Sequence, residues 1–279
     1  MLRVIAITMF SIILFSEAIR ASEFRLVDLT HTHDQDAVSW PGPNNKFNFT
    51  KEHRGIYEGG PGEGGFWLEF NYFQTPEHMG THIDAPCHFA EGAPRVHQIP
   101  IEKLTGPGVI INVKSKVAAN IDYRVAIDDI LDWETKYNKI PDGAVVIMNS
   151  GWSLRYPNKT LVFGSDTWED ITSYHYPSWH EDTVDWLVKN RNIHMVGVDT
   201  TSLDYGPTVT APVPFAAHRV LGANNITGIE NVANLDSIPE SGTTIYAAAF
   251  KLYEGSGSPS RVFATVPVDN PRKMRKNRN

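Results

Sequence analysis

A short segment of this 279-residue chain concentrates side chains that can bind a metal ion. Three of its eleven histidines, His78, His82 and His88, fall within eleven residues. Asp84 follows His82 by two positions, so both side chains point to one face of an extended chain. Gly80 permits a turn that returns His78 to them. Two imidazoles and a carboxylate with an open position suit Zn²⁺ or Mn²⁺ and a bound water, although the same spacing fits a polar surface loop.

His88 has two interpretations, a fourth ligand or a free general acid/base whose pKa lies near working pH. Cys87 is the only cysteine, which excludes an intrachain disulfide and a Cys-x-x-Cys zinc module. A cysteine nucleophile is disfavoured, because only the adjacent His88 is available to activate it. The chain has no Gly-x-Ser-x-Gly motif, which argues against a serine hydrolase.

The elements around this segment predict an α/β fold with a mixed sheet in a single domain. The hydrophobic fraction of 41% is enough for a large core, and the net charge of −7 excludes a nucleic-acid binder that relies on bulk positive charge. Alternating or buried-type apolar patterns predict strands at 24–29, 66–73, 108–113, 144–148, 195–198, 244–252 and 262–266. Helical periodicity predicts helices at 126–137 and 182–190. Because strands and helices alternate only loosely, a repeated βαβ series is disfavoured.

The ends of the chain predict a secreted protein. An uncharged run at 4–15 has the length of a signal-peptide core, so we expect a signal peptide at 1–22, a folded domain at 23–270 and no transmembrane segment after cleavage. Residues 271–279 carry five Lys or Arg and no acid, which favours a basic disordered tail. Glycosylation sequons begin at three asparagines, Asn48, Asn158 and Asn225.

The segment 78–89, HMGTHIDAPCHF, resembles the HxGTHxDxPxHF signature of the metal-dependent cyclase family. That family includes the bacterial-type kynurenine formamidases and the isatin hydrolases. Four further segments resemble elements of the family: Asp28–His31, Trp40-Pro41-Gly42, Ser150-Gly151-Trp152 and Gly197–Asp204. The family's C-terminal element is represented by His218, by Glu230 and Asn231, and by Asn234-Leu235-Asp236. The resemblance spans residues 24–266 and implies the family's β/β/α, swivelling-type mixed-sheet domain.

Residue by residue, the resemblance implies a centre of one or two metal ions. His78, His82 and Asp84 would hold the first ion. Asp84 would bridge to a second ion, held also by His218 and Glu230. Spacing alone does not single out His218 or Glu230. A helix is expected to start after the prolines that precede His218.

The resemblance implies hydrolysis of a carbon–nitrogen amide bond by metal-activated water, with His88 as the acid/base. Its simplest form is an arylformamidase that converts N-formyl-L-kynurenine to L-kynurenine and formate. The alternatives are an isatin, lactam or cyclic-imide hydrolase, or a non-catalytic extracellular binder of a small aromatic metabolite. Trp40 is predicted to contact substrate because the family turn places it near the site. Other aromatics suited to a pocket for a planar ring are Phe66, Trp67, Tyr72 and Trp152. A homo-oligomer is expected, and no nucleic-acid partner.

Overall fold

The computed structural model describes residues 24–59 and 64–268. The predicted signal peptide at 1–22 and the basic tail at 271–279 lie outside these ranges. Within the described ranges, no helix combines the length and apolarity that crossing a membrane requires.

Strands dominate the described part of the chain. In order they are β1 (Phe24–Asp28), β2 (Asn48–Tyr57), β3 (Phe66–Gln74), β4 (His82–Asp84), β5 (Thr105–Asn112), β6 (Arg124–Val125), β7 (Ala144–Asn149), β8 (Ser178–Trp179), β9 (Ile193–Val198), β10 (Thr227–Glu230), β11 (Thr243–Ala249) and β12 (Gly257–Pro267). The α-helices are α1 (Lys114–Ala119), α2 (Ile127–Tyr137), α3 (Lys159–Phe163), α4 (Glu181–Asn190) and α5 (Ala216–Ala223). The predicted mixed-sheet α/β fold is confirmed.

The main sheet closes on itself. Its order is β1-β12-β11-β5-β7-β9-β10-β4, and β4 pairs with β12 as well as with β10. Strand β12 is long enough to pair with β11 through Ser260–Thr265 and with β4 through Gly257–Pro259. Seven strands therefore form a barrel-like ring, and β1 is added on the outside of it. The pairs β5–β7, β7–β9 and β9–β10 are parallel.

The alternation of side chains along the strands divides the core in two. In β7, Val145 and Ile147 belong to the cluster enclosed by the ring, whereas Val146 and Met148 belong to the cluster between the sheet and the helices. Because successive side chains of a strand face opposite sides, a strand covered on both faces is apolar throughout. This explains why β7 reads as an unbroken apolar run.

The predicted elements are found with shifts at their ends. The predicted helices correspond to α2 and α4, and the strand predicted at 244–252 ends at Ala249. Strand β2 was not predicted, because its sequence NFTKEHRGIY is largely polar. It pairs with β3 in a separate two-stranded hairpin. Residues 60–63, within the glycine-rich connection of this hairpin, lie outside the described ranges.

Candidate metal centre

The turn before β4 sets the orientation of His82. Gly80 adopts φ +59°, in the left-handed region that glycine enters at little cost. Its carbonyl oxygen accepts hydrogen bonds from His82 Nδ1 at 2.9 Å and from Asn231 Nδ2 at 3.0 Å. Because the carbonyl accepts from Nδ1–H, the neutral imidazole of His82 has its lone pair on Nε2, which faces the interior of the site.

Asp84 lies between three imidazoles. Its Oδ1 is 2.7 Å from His78 Nδ1 and 3.2 Å from His82 Nε2. Its Oδ2 is 3.2 Å from His218 Nε2. The two oxygens of one carboxylate thus face different sets of imidazoles, which is the arrangement that a bridging ligand requires.

Strand pairing brings Glu230 to the same point. Strand β10 runs antiparallel to β4, and Glu230 is the register partner of His82. Its Oε2 is 3.5 Å from His82 Nε2, and its Oε1 is 3.1 Å from His218 Nε2. Oε1 also accepts a hydrogen bond from the backbone N–H of Leu203 at 2.8 Å, which limits rotation of the carboxylate.

Asp204 orients His218 from behind. His218 is the third residue of α5, as the prolines before it predicted. Its Nδ1 lies 2.6 Å from Asp204 Oδ2, and Asp204 also accepts from the N–H groups of Ala217 and His218. Such a carboxylate sets the ring orientation and tautomer of a metal-binding histidine. No local pattern indicated this role for Asp204, although Asp204 ends the family-like segment that begins at Gly197.

The donor set fits a divalent cation. His82 Nε2 and Asp84 Oδ2 are buried, and their 3.2 Å contacts with Asp84 Oδ1 and His218 Nε2 do not have hydrogen-bond geometry. Leaving buried polar atoms without a hydrogen bond costs free energy unless another group binds them. Two triplets have ligand atoms within 4.8 Å of one another, His78–His82–Asp84 and Asp84–His88–His218. Imidazole nitrogen and carboxylate oxygen together suit Zn²⁺ and Mn²⁺.

The electrostatics of the centre favour positive charge. Burial lowers the pKa of His82, but the Asp84 carboxylate and then Glu230 outweigh it and raise the pKa to about 9. Burial opposes the charge of Asp84 too, and its imidazole neighbours nonetheless hold its pKa well below the ordinary value. Buried carboxylates that strongly favour a cationic neighbour also favour a metal ion.

His88 lies at the solvent side of the centre. Its ring stacks on His78 with centroids 3.9 Å apart, and its centroid is 6.0 Å from that of His218. Burial is the main cause that lowers its pKa to about 3, and the Asp84 carboxylate only partly opposes this. His88 is therefore neutral at pH 7. The position agrees with both sequence interpretations, a ligand and an acid/base, but a pKa of about 3 differs from the value near working pH that was expected of a free acid/base.

A cavity of about 430 Å³ opens beside the candidate metal-binding residues. Aromatic rings form one wall, with Phe215 5.8 Å from Trp40 and 5.2 Å from Phe89 between centroids. Phe215 has φ 53°, which is strained for a bulky side chain and is often seen at functional sites. The full lining is Trp40, Asn45, Pro76, Glu77, His78, His88, Phe89, Ser202, Phe215, His218 and Glu230.

Only one of the five aromatics considered for the pocket, Trp40, lines this cavity. Trp152 is buried in the core, where its indole N–H donates to the carbonyl of Val162. The other three, Phe66, Trp67 and Tyr72, are exposed on the β2–β3 hairpin. Phe89 and Phe215 take their place in the wall. Phe89 stood in the signature segment, whereas no local pattern marked Phe215.

The start of β12 supports His78. Glu77 accepts hydrogen bonds from the backbone N–H groups of Ser256 and Gly257, at 2.9 and 3.2 Å. His78 Nε2 lies 3.1 Å from Ser256 Oγ. A Cβ atom on Gly257 would lie 2.8 Å from His78 Nδ1, so the imidazole occupies space that only glycine leaves free.

Comparisons with known proteins agree with this geometry. The family described as "Putative cyclase" matches residues 27–205. The isatin hydrolase of Roseibium aggregatum is 30% identical over 73% of this chain and 77% of its own length. The kynurenine formamidase of Bordetella petrii is 26% identical over 66% of this chain and 74% of its own length. The structure of isatin hydrolase A from Ralstonia solanacearum has 31% identity and a TM-score of 0.76, and covers 87% of this chain and 92% of that one.

Proposed function

The chain belongs to the cyclase family, and from this premise we propose that it is a metal-dependent hydrolase that cleaves the carbon–nitrogen bond of a small aromatic amide. One observation carries the proposal. Buried imidazole and carboxylate atoms without hydrogen-bond partners, on His82 and Asp84, lie beside a cavity with an aromatic wall. A divalent cation, Zn²⁺ or Mn²⁺, supplies Lewis acidity that acidifies water and polarises a carbonyl oxygen.

The metal-binding role falls to five residues. His78, His82 and Asp84 form one triplet of donors, and the second oxygen of Asp84 faces His218 beside Glu230. Their pairwise contacts and burial support a centre of one or two ions. One oxygen of Asp84 faces His78 and His82 and the other faces His218, so the loss of Asp84 is expected to remove metal binding altogether.

The cavity positions a planar substrate. Trp40, Phe89 and Phe215 offer ring faces and edges for an aryl group on the side opposite the imidazoles. His88 lines this space and has a ring nitrogen within 4.8 Å of the Asp84 carboxylate, so it is the residue placed to carry a proton from the attacking water to the leaving nitrogen.

We place an isatin-like lactam ahead of N-formyl-L-kynurenine as the substrate. The supporting observation is the higher identity and coverage of the isatin hydrolase relative, 30% against 26%. The signature segment is shared by both groups of relatives and does not distinguish them, and the sequence alone led us to expect the arylformamidase as the simplest form.

The test is a hydrolysis screen of the purified protein loaded with Zn²⁺ or Mn²⁺, using isatin, N-formyl-L-kynurenine and a set of cyclic imides. We expect metal-dependent turnover that a chelator removes and added metal restores, with isatin the better substrate. The Asp84→Ala variant should bind no metal and Asp236→Ala, which changes an exposed carboxylate, should bind it normally. Failure of the metal-loaded protein to hydrolyse any compound would refute the proposal. Tight binding of an aromatic ligand that survives chelation and His88→Ala would instead favour the non-catalytic binder.

We also propose that the protein is secreted and glycosylated. The uncharged run at 4–15 supports secretion, and Asn48 and Asn158 have exposed side chains. Amino-terminal sequencing of the protein recovered from the medium should begin near residue 23, and treatment with an N-glycosidase should lower its mass. Recovery only inside the cell, with residues 1–22 retained, would contradict this.

A further inference from the structure

Ser202 is the first of three consecutive residues that border the candidate metal centre. The N–H of Leu203 donates to Glu230 at 2.8 Å. The carboxylate of Asp204 lies 2.6 Å from Nδ1 of His218. Ser202 itself is only 1% exposed, and it lines the cavity beside the centre. Because the next two residues of the chain hold two candidate ligands, Ser202 is fixed at the border between the centre and the space for a substrate.

The backbone carbonyl of Ser202 is satisfied inside the protein. It accepts hydrogen bonds from the hydroxyl of Ser178 at 2.9 Å and from that of Thr200 at 3.1 Å. Both donors are buried. The side chain of Ser202, and not its carbonyl, is therefore the polar group that it offers to the cavity.

The hydroxyl proton of Ser202 is free to bind a molecule in the cavity. Ser202 Oγ accepts a hydrogen bond from the N–H of Asp204 at 3.2 Å. Within 24–59 and 64–268, no protein group accepts a hydrogen bond from it in return. A serine hydroxyl donates one hydrogen bond and accepts up to two. The protein thus uses the accepting side of this hydroxyl and leaves its donor for a ligand.

Tyr176 provides a second donor next to Ser202. Its side chain is fully buried, and in the part of the chain that the structure describes no group binds its hydroxyl with hydrogen-bond geometry. Burial and then the Glu230 carboxylate raise the pKa of Tyr176 well above its ordinary value, while the neighbouring Ser202 hydroxyl partly opposes this rise. The phenol is therefore protonated at neutral pH. Because a buried hydroxyl without a partner costs free energy, its proton is expected to bind the second lone pair of Ser202 Oγ.

We propose that Ser202 is a catalytic residue whose hydroxyl donates a hydrogen bond to the carbonyl oxygen of the substrate, and that Tyr176 positions this hydroxyl. The inference rests on the proposed amide hydrolysis. When the oxygen of water bonds to the carbonyl carbon, one electron pair of the C=O bond moves to the carbonyl oxygen and makes it negative. The pair returns to the carbon–oxygen bond as the carbon–nitrogen bond breaks, and the nitrogen takes the proton that the water has lost. A donor held at this oxygen stabilises the negative species more than the substrate.

The first test compares steady-state hydrolysis by the Zn²⁺-loaded wild type and Ser202→Ala, using isatin or the compound of the screen that the wild type hydrolyses fastest. We expect kcat to fall about 10²–10³-fold, the usual loss for one such donor, and KM to stay nearly unchanged. The matched control is Ser260→Ala, which removes another buried hydroxyl, one that donates to the carbonyl of Ser258, and should keep the wild-type kcat. Unchanged kcat in Ser202→Ala beside an active wild type would overturn this inference and leave the proposed hydrolysis intact. A wild type that hydrolyses none of the compounds would overturn both.

Metal affinity separates catalysis by Ser202 from support of the metal centre. Competition for Zn²⁺ against a chelator should give Ser202→Ala the wild-type affinity, because the N–H of Leu203 still binds Glu230. A loss of Zn²⁺ affinity as large as the loss of kcat would assign Ser202 to the support of the centre and overturn its catalytic role.

Tyr176→Phe tests the positioning role. We expect kcat to fall about 2–10-fold, the contribution of one hydrogen bond, with KM and Zn²⁺ affinity unchanged. Because Tyr176 acts through the hydroxyl of Ser202, adding Tyr176→Phe to Ser202→Ala should lower kcat no further. A double variant whose kcat falls by the product of the two single losses would show that Tyr176 acts independently of Ser202 and would overturn this part of the proposal.

Discussion

Gly257→Ala gives a direct test of how the fold supports the metal centre. Gly257 begins β12 and is the register partner of Asp84. An added Cβ would lie 2.8 Å from Nδ1 and 2.9 Å from Nε2 of His78, whereas ordinary van der Waals contact begins at 3.4 Å. The backbone of Gly257 does not have positive φ, so alanine itself fits the strand.

The expected displacement is large compared with the tolerance of a metal site. Moving Nδ1 of His78 from 2.8 Å to at least 3.4 Å takes about 0.6 Å, and Cε1 would lie closer to the added Cβ than Nδ1, so the ring must recede by more than about 0.6 Å. Metal–ligand distances hold to about 0.2 Å. We therefore expect metal affinity to fall about 10–100-fold, the usual loss when the support of a ligand is removed. Because His78 is partly exposed and can swing toward solvent, the loss of unfolding free energy should stay below the roughly 1–3 kcal/mol of a buried overpacking substitution.

The assay is competition for Zn²⁺ against a chelator of known affinity, together with thermal unfolding of the metal-free protein. Gly55→Ala is the matched control, because a Cβ there would have no neighbour within 4 Å and the residue also lies in a strand. Wild-type affinity for Zn²⁺ in Gly257→Ala would refute the reasoning that the ring of His78 needs the space that Gly257 leaves free. Equal losses in both variants would show that the effect comes from glycine replacement in general.

Three further predictions concern other parts of the site and fold. His88→Ala should keep the metal content, measured by elemental analysis, and lower kcat by about 10²–10⁴-fold, whereas loss of metal would show that His88 is a ligand. Asp204→Asn should weaken metal binding by about 10–100-fold in the same chelator competition, because the hydrogen bond to His218 Nδ1 is disturbed; unchanged affinity would contradict a positioning role. Burial lowers the pKa of His31 from 6.5 to about 4, so the unfolding free energy that this residue contributes is present above pH 6.5 and is lost as the pH falls toward 4. His31→Phe keeps a ring stacked on Tyr156, and its unfolding free energy should fall less between pH 7 and pH 4.5 than that of the wild type, as measured by denaturant titration. An equal fall in both proteins would assign the acid sensitivity to other groups.

Features with a local physical cause were predictable from the sequence. The extended segment His82–Asp84 and the turn at Gly80 follow from residue type and a period of two, and they place two candidate ligands without knowledge of the rest of the fold. Strand β7 was predictable because a strand covered on both faces is apolar at every position. Strand β2 was not predictable, because its polar residues follow no burial pattern. It is a strand because it pairs with β3, and not because one of its faces packs on the core.

The sequence by itself determined the chemistry of the centre, because a compact run of imidazoles and a carboxylate limits the ions that can bind. Its family resemblance added His218 and Glu230, which spacing alone did not reveal. Tertiary structure decided how these groups meet. The register of β10 against β4 sets Glu230 opposite His82, and Asp204 holds the ring of His218 from another segment. It also decided that Phe215 forms the cavity wall, that Gly257 leaves space for His78, and that the hairpin aromatics lie on the surface. Contacts between residues far apart in the chain depend on strand pairing and packing, which no local pattern encodes.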